Sequence, residues 1–127
     1  VTQFTANFSE AELACKCGCG MLPERDFMDR VQNLRNSLGK PMIVTSAARC
    51  PEHNSRVSRT GRTGPHTTGR AIDIGIEGAY ALKLVELALA HGFTGIGVNQ
   101  KGAGRFIHID DLKFAPGRPR PWIWSYP

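Results

Sequence analysis

His66 and Asp73 lie close together in the run Gly64-Pro65-His66-Thr67-Thr68-Gly69-Arg70-Ala71-Ile72-Asp73-Ile74, and His108 sits further on in Phe106-Ile107-His108-Ile109-Asp110. Two imidazoles and one carboxylate are a complete protein ligand set for a catalytic Zn2+ ion, whose fourth position stays open to water. The chemistry such a set supplies is hydrolysis: an activated water and a polarised carbonyl, with no covalent intermediate required.

The elements that carry these residues can be read from periodicity. Ala71 to Ile76 alternates about Asp73, so as a strand it places Asp73 on one face with Ala71 and Gly75, while Ile72, Ile74 and Ile76 pack into the core. On a strand from Arg105 to Asp110 the same alternation puts Phe106, His108 and Asp110 on one face, with Ile107 and Ile109 on the other. His66 belongs to the preceding loop, and Gly69 gives the chain the freedom to fold it back beside Asp73. His53, beside Asn54, either lines the same cleft and meets substrate or caps its loop; His91 reads as a helix-end residue.

The remaining elements follow from their punctuation. Ser9-Glu10-Ala11-Glu12 fits a capping box and opens a short helix that Gly18 and Gly20 terminate. Pro23 suits the first turn of a second helix, on which Phe27, Val31, Leu34 and Leu38 share a face, and Gly39 and Pro41 stop it. Met42 to Ser46 reads as a core strand that delivers Arg49 from its far end. Cys50 to Gly69 reads as a loop with one helical turn after Pro51. Ala79 to Ala90 is apolar nearly all round, which predicts a well-buried helix, and Phe93 to Val98 predicts a strand joined to the last one through residues 99–104. The tail, 116–127, holds prolines with Trp122, Trp124 and Tyr126; it is either an extended segment whose aromatics pack back on the domain or a sugar-stacking tail. The sum is a single α+β domain over residues 1–127, with a small antiparallel or mixed β-sheet and helices packed on one side.

Bulk properties narrow the class. With 127 residues, 41% hydrophobic and 21% charged, the chain can bury a modest core and shows no sign of disorder or of a fibrous class. Its longest apolar stretch is interrupted by Lys83 and Glu86 and is too short to span a bilayer, so no membrane partner is expected. Val1 to Ser9 is neither basic nor continuously apolar, so no secretory signal is expected in the chain. A net charge of +5 favours polyanionic partners in general, and charge alone does not choose among nucleic acid, anionic lipid and acidic wall polymers. Cys15, Cys17, Cys19 and Cys50 admit three readings: reduced thiols, a disulfide to Cys50, or a thiolate metal site that lacks the usual C-x-x-C pairs. No catalytic role is assigned to them.

Taken together, Gly64-x-His66-x-x-Gly69-x-Ala71-x-Asp73 and Ile107-His108-Ile109-Asp110 resemble the zinc D-Ala-D-Ala peptidase family, the M15 group that also includes phage endolysins. The resemblance continues through Thr45-Ser46-Ala47-Ala48-Arg49-Cys50 and Glu52-His53-Asn54, and the Cys15 to Gly20 cluster looks like the amino-terminal part of the endolysin-like branch. It implies a hedgehog/DD-peptidase-like fold, His66, Asp73 and His108 as zinc ligands, and Arg49 as the arginine that holds a carboxylate of the peptide substrate. Two positions depart from the family pattern. Gly64 stands where many members have Ser, so that hydrogen bond is missing or comes from Thr67 or Thr68. Arg105 stands where many have an acidic general base. Asp110, on the face of His108, is then the candidate for the base or for a partner that orients a ligand, with Asp111 and Glu52 as outsiders.

The expectation is a monomeric zinc metallopeptidase that hydrolyses a peptide bond in the stem or cross-link of bacterial peptidoglycan. Within the family resemblance this is a phage or prophage endolysin, acting as an L-Ala-D-Glu type endopeptidase or a D,D-carboxypeptidase. Such a protein is made in the host cytoplasm and acts on the cell wall after release. The alternative is a non-catalytic zinc domain that binds the wall or a partner; a nucleic-acid binder draws on charge alone and is not expected.

Overall fold

The computed structural model describes residues 2–127. The chain opens with a short antiparallel hairpin of β1 (Gln3–Thr5) and β2 (Phe8–Ser9), which sequence periodicity is too brief to signal. Helix α1 (Glu10–Leu13) starts as its capping box requires: Glu12 N–H donates to Ser9 Oγ at 3.3 Å, and Ser9 N–H donates to Glu12 Oε1 at 2.7 Å. Helix α2 (Arg25–Leu38) ends at Gly39, whose left-handed backbone (φ 72°) closes the last turn. It buries Phe27, Met28, Val31 and Leu34.

Five further strands form the main sheet: β3 (Ile43–Ser46), β4 (Ala71–Gly75), β5 (Gly95–Asn99), β6 (Phe106–Asp110) and β7 (Trp122–Ser125). Their spatial order is β3-β4-β6-β5-β7, antiparallel throughout except for the parallel pair β5–β7. Helix α3 (Pro51–Val57) and a 3-10 turn (Pro65–Thr68) lie between β3 and β4, and α4 (Gly78–Ala90) lies between β4 and β5. Ile72 and Ile74 on β4, Ile107 and Ile109 on β6, and Ile96 on β5 form one face. They join the buried side chains of α2 and α4 in one core. The fold is therefore the expected single small α+β domain, with the helix-covered face apolar and the opposite face left for chemistry.

Several local expectations give way to tertiary context. The strand expected from Met42 in the core starts at Ile43 and forms a sheet edge, with Ile43 68% exposed. The single turn expected after Pro51 is a seven-residue helix, because Pro51 fixes the first position and Cys50 caps it by accepting from His53 N–H. Helix α4 is buried along one side only, through Ala81, Leu84 and Ala88, while Tyr80, Leu82 and Leu89 face outward. The strand expected from Phe93 begins at Gly95, and Phe93 instead sits edge-on to Phe27 with ring centroids 6.1 Å apart. The tail does return to the domain, and it does so as a paired strand, β7.

The one-sided burial of α4 sets a contrast that equilibrium urea unfolding can measure. Leu84→Ala should destabilise by about 2–5 kcal/mol, whereas Leu82→Ala should stay within about 0.5 kcal/mol of the parent. Equal losses at the two positions would mean that α4 is enclosed on both sides.

Candidate metal centre

The register of four strands assembles the site and its wall. Asp73 on β4 lies opposite His108 on β6, and His108 lies opposite Gly97 on β5; Gly97 in turn lies opposite Trp124 on β7. His66 reaches this row from the 3-10 turn, which Gly69 ends with φ 76° so that the chain can enter β4 directly. His66 Nε2 is 3.2 Å from Asp73 Oδ1, and His108 Nδ1 is 3.0 Å from the same oxygen. One ligand atom from each of the three residues falls within 4.8 Å of the other two. Bonds of about 2.0–2.2 Å from a tetrahedral zinc would place such donor atoms a little over 3 Å apart. The spacing therefore fits a metal ion.

The outward-facing nitrogens fit it as well. His66 Nδ1 is 2.7 Å from Ala47 O, a carbonyl that can only accept, so this nitrogen carries the proton and leaves Nε2 free as a ligand. His108 Nε2 is 2.8 Å from Asp110 Oδ2, which leaves Nδ1 directed at Asp73 and the site. Asp110 is itself clamped by Arg120, whose Nε and Nη2 donate to Oδ1 and Oδ2 at 3.0 and 2.9 Å. A relay of Arg120, Asp110 and His108 thus fixes the imidazole from behind. Trp124 covers it from the side, with ring centroids 4.9 Å apart.

Charge is tightly arranged here. Burial opposes the Asp73 carboxylate, but the neighbouring charge of His66 and hydrogen bonds with His108 and His66 outweigh it and hold its pKa below the usual carboxylate range. Burial likewise works against a charged His108, and its bonds to Asp110 and Asp73 overcome that, raising its pKa above the ordinary 6.5. Burial raises Asp110, yet its contacts with His108 and Arg120 bring it down to about 2. Tyr126 is pushed up to about 12, by burial first and then by the Asp73 charge, so its hydroxyl remains a donor.

The three predicted ligand residues are brought together at the floor of a cleft of about 640 Å³. Arg49 lines it, held by Nε donating to Ser46 Oγ at 2.9 Å and Nη1 donating to Asn54 Oδ1 at 3.0 Å, with Nη2 3.6 Å from Asp73 Oδ2. His53 does not line the cleft; it lies on α3, where its backbone serves the Cys50 cap. Asp110 is 0% exposed and stands behind His108, outside the cleft. Arg105 borders a separate shallow recess near Glu77, and Asp111 is taken by Arg30 and Arg70. Thr67 and Thr68 donate to Gly64 O and Pro65 O within their own turn, so neither replaces the missing serine. A side chain at 64 would collide with Thr60, whose hydroxyl accepts from Asn54 Nδ2 at 2.9 Å. Gly64 is thus required by a neighbour that binds the Arg49-holding asparagine.

Arg120, Trp124, Tyr126 and Asn54 were not singled out for the site by sequence reasoning. The one signal pointing to the tail residues is Gly95-Ile96-Gly97, small residues alternating with a core isoleucine. A Cβ at 95 would run into the Asp110 carboxylate, and one at 97 would meet Trp124 Nε1 and Tyr126 OH at 2.7 Å.

A buried group of two histidines and a carboxylate, backed by second partners and open to a cleft on one side, has the donor set of a metal-dependent hydrolase and could bind a metal ion. The Peptidase M15 family model matches residues 6–110, and the chain belongs to that family. It is by family a peptidase; M15 peptidases are typically zinc-dependent, and the His66–Asp73–His108 group could bind the metal. No curated protein matches the chain.

Two outcomes follow for metal binding. Asp110→Asn should weaken zinc affinity by about 10–100-fold, measured by competition with a chromophoric chelator, because His108 loses the carboxylate that orients it. In the metal-free protein, the stabilisation from protonated His108 is present below its ordinary pKa and lost as pH rises through the raised one. Zinc requires His108 Nδ1 unprotonated, so its effect has the opposite sign. The rise in Tm on adding zinc should be small near about pH 5 and grow towards about pH 8; a rise that shrinks with increasing pH would contradict this arrangement.

Proposed function

We propose that the protein is a zinc peptidase that cleaves a peptide bond in the stem or cross-link peptides of bacterial peptidoglycan, as a phage or prophage endolysin acting on the wall after release. The observation that carries this reading is the convergence of His66 Nε2, Asp73 Oδ1 and His108 Nδ1 at the floor of a cleft lined by Arg49, Arg59, Arg118 and Arg120. Such a cleft suits a peptide that carries carboxylates, and stem peptides carry them. Zinc, when bound, supplies Lewis acidity, activating water and polarising the scissile carbonyl.

The chain's own side chains supply the rest. Arg49, fixed by Ser46 and Asn54, presents a planar fork that pairs with a substrate carboxylate and orients the peptide. Arg120 and Asp110 hold His108 in one tautomer and one orientation, which makes Asp110 a positioning residue in this reading. Tyr126, protonated at working pH, can donate to oxygen that gains charge during the reaction. Trp122, Trp124 and Phe106 give apolar walls to the cleft.

A second reading, a zinc domain that binds wall peptides without cutting them, is favoured by one feature. Asp73 is the sole side-chain carboxylate among the described residues that line the cleft. Digestion of purified peptidoglycan with mass identification of fragments separates the two. The peptidase reading expects new amino groups, their release stopped by chelator and restored by zinc, and lost in His66→Ala. Arg49→Lys should lower kcat/KM by about 10–100-fold, the equivalent of a charged hydrogen bond. Tight binding to peptidoglycan with no new termini would establish the second reading.

A further inference from the structure

Outside this site the largest concentration of metal-ligating side chains is Cys15, Cys17, Cys19 and Cys50. We propose that these four cysteines hold a second, structural zinc ion, distinct from the one in the cleft. Their Sγ atoms all lie within 4.8 Å of one another, with Cys15 and Cys17 at 3.5 Å and Cys17 and Cys50 at 3.6 Å. Four thiolates around a tetrahedral zinc with bonds of about 2.3 Å stand roughly 3.8 Å apart, so the cluster already has the size of the coordination shell. A single disulfide would engage two of the sulfurs and leave the other two gathered beside it without a role.

The backbone is shaped to bring them together. Cys15, Cys17 and Cys19 alternate with Lys16 and Gly18, an arrangement that in an extended strand would put three side chains in a row. Instead the segment curls: Gly18 and Gly20 adopt φ 87° and 88°, Gly18 N–H donates to Cys15 O at 3.2 Å, and Cys15 N–H donates to Met21 O at 2.9 Å. The three thiols then face Cys50, which arrives from the end of the β3–α3 connection. Two backbone donors already point at sulfur. Cys50 N–H lies 3.4 Å from Cys15 Sγ, and His53 N–H lies 3.4 Å from Cys50 Sγ. Amide donors aimed at sulfur favour the thiolate that a metal needs.

With all four positions filled by sulfur the ion has no open site, so its function is structural. It joins the amino-terminal segment to Cys50, the neighbour of Arg49. Backbone bonds continue the link: Ala48 N–H donates to Leu13 O and Arg49 N–H donates to His66 O, each at 3.2 Å. The proposal stands whether or not the cleft cuts peptides.

Metal analysis of the reduced, purified full chain tests it. Two equivalents of zinc are expected in the parent, and one in His66→Ala/His108→Ala, which keeps the thiolate site. One is also expected in Cys17→Ser/Cys19→Ser, which keeps the cleft. Replacing zinc by cobalt in the parent should produce a sulfur-to-cobalt charge-transfer absorption, which imidazole and carboxylate ligands cannot give. All four thiols should react slowly with a chromogenic thiol reagent until a chelator is added. The thiol and cobalt measurements use the parent chain, so they decide the matter even if a cysteine variant fails to fold. Four freely reactive thiols with no cobalt–thiolate band, or a mass showing a disulfide in the freshly purified protein, would overturn the proposal.

Discussion

Everything around the cleft depends on one oxygen, Asp73 Oδ1, which faces His66 Nε2 and His108 Nδ1 together. A buried carboxylate is costly unless positive charge or a metal compensates for it, and a half-paired one is worse than none. This chain surrounds Asp73 with two imidazoles and the Arg49 guanidinium, and each of those is held in turn by a further partner: Ala47 O, Asp110, and the pair Ser46 and Asn54. The result is a fully connected polar layer on one face of the sheet. Its rigidity comes from the opposite face, where Ile72, Ile74, Ile107 and Ile109 are locked in the core. Period-two alternation on β4 and β6 therefore produces the core and the site from the same ten residues.

The same constraint explains why β5 is so bare. A sheet face that must hold Asp110, His108 and Asp73 in a row has no space for ordinary side chains on the adjoining strand, and Gly95 and Gly97 supply that space. The tail then fills it from above, with Trp124 against His108 and Arg120 on Asp110. The carboxyl-terminal strand is thus part of the site's wall, although it lies beyond the residues that the family model matches.

This division also marks how far the amino-acid sequence could be read. Faces set by alternation, such as Asp73 with Ala71 and His108 with Asp110, were legible because a strand leaves only two choices for each side chain. Cap and stop signals were legible at Ser9 and Gly39 for a similarly local reason. What remained out of reach depended on partners distant in the chain. Ala79 to Ala90 looks enclosed on all sides by composition, yet only the side facing α2 and the sheet found cover. Asp110 was visible as a neighbour of His108, but only the arrival of Arg120 shows that its two oxygens are already engaged. Gly64 looked like the loss of a hydrogen bond. In space it is the accommodation of Thr60, which supports Asn54 and through it Arg49.

Arg105 poses the remaining chemical question, and its location gives a physical answer. Its side chain lies towards Gly102 and Glu77, with Nε donating to Gly102 O at 2.9 Å, at the edge of a recess separate from the cleft. With this backbone a carboxylate at the same position would start from the same place, so the substitution by arginine does not by itself remove a group from beside the metal ligands. The cleft's acid–base capacity must instead be judged by what lines it, which is Asp73, the two ligand imidazoles, the Tyr126 hydroxyl and a set of guanidiniums. Arginine does not accept protons, and burial with the Asp73 charge pushes the Tyr126 pKa up to about 12. The Tyr126 hydroxyl and the guanidiniums are therefore placed to donate hydrogen bonds, while Asp73 and the two imidazoles are the groups that would hold a metal ion.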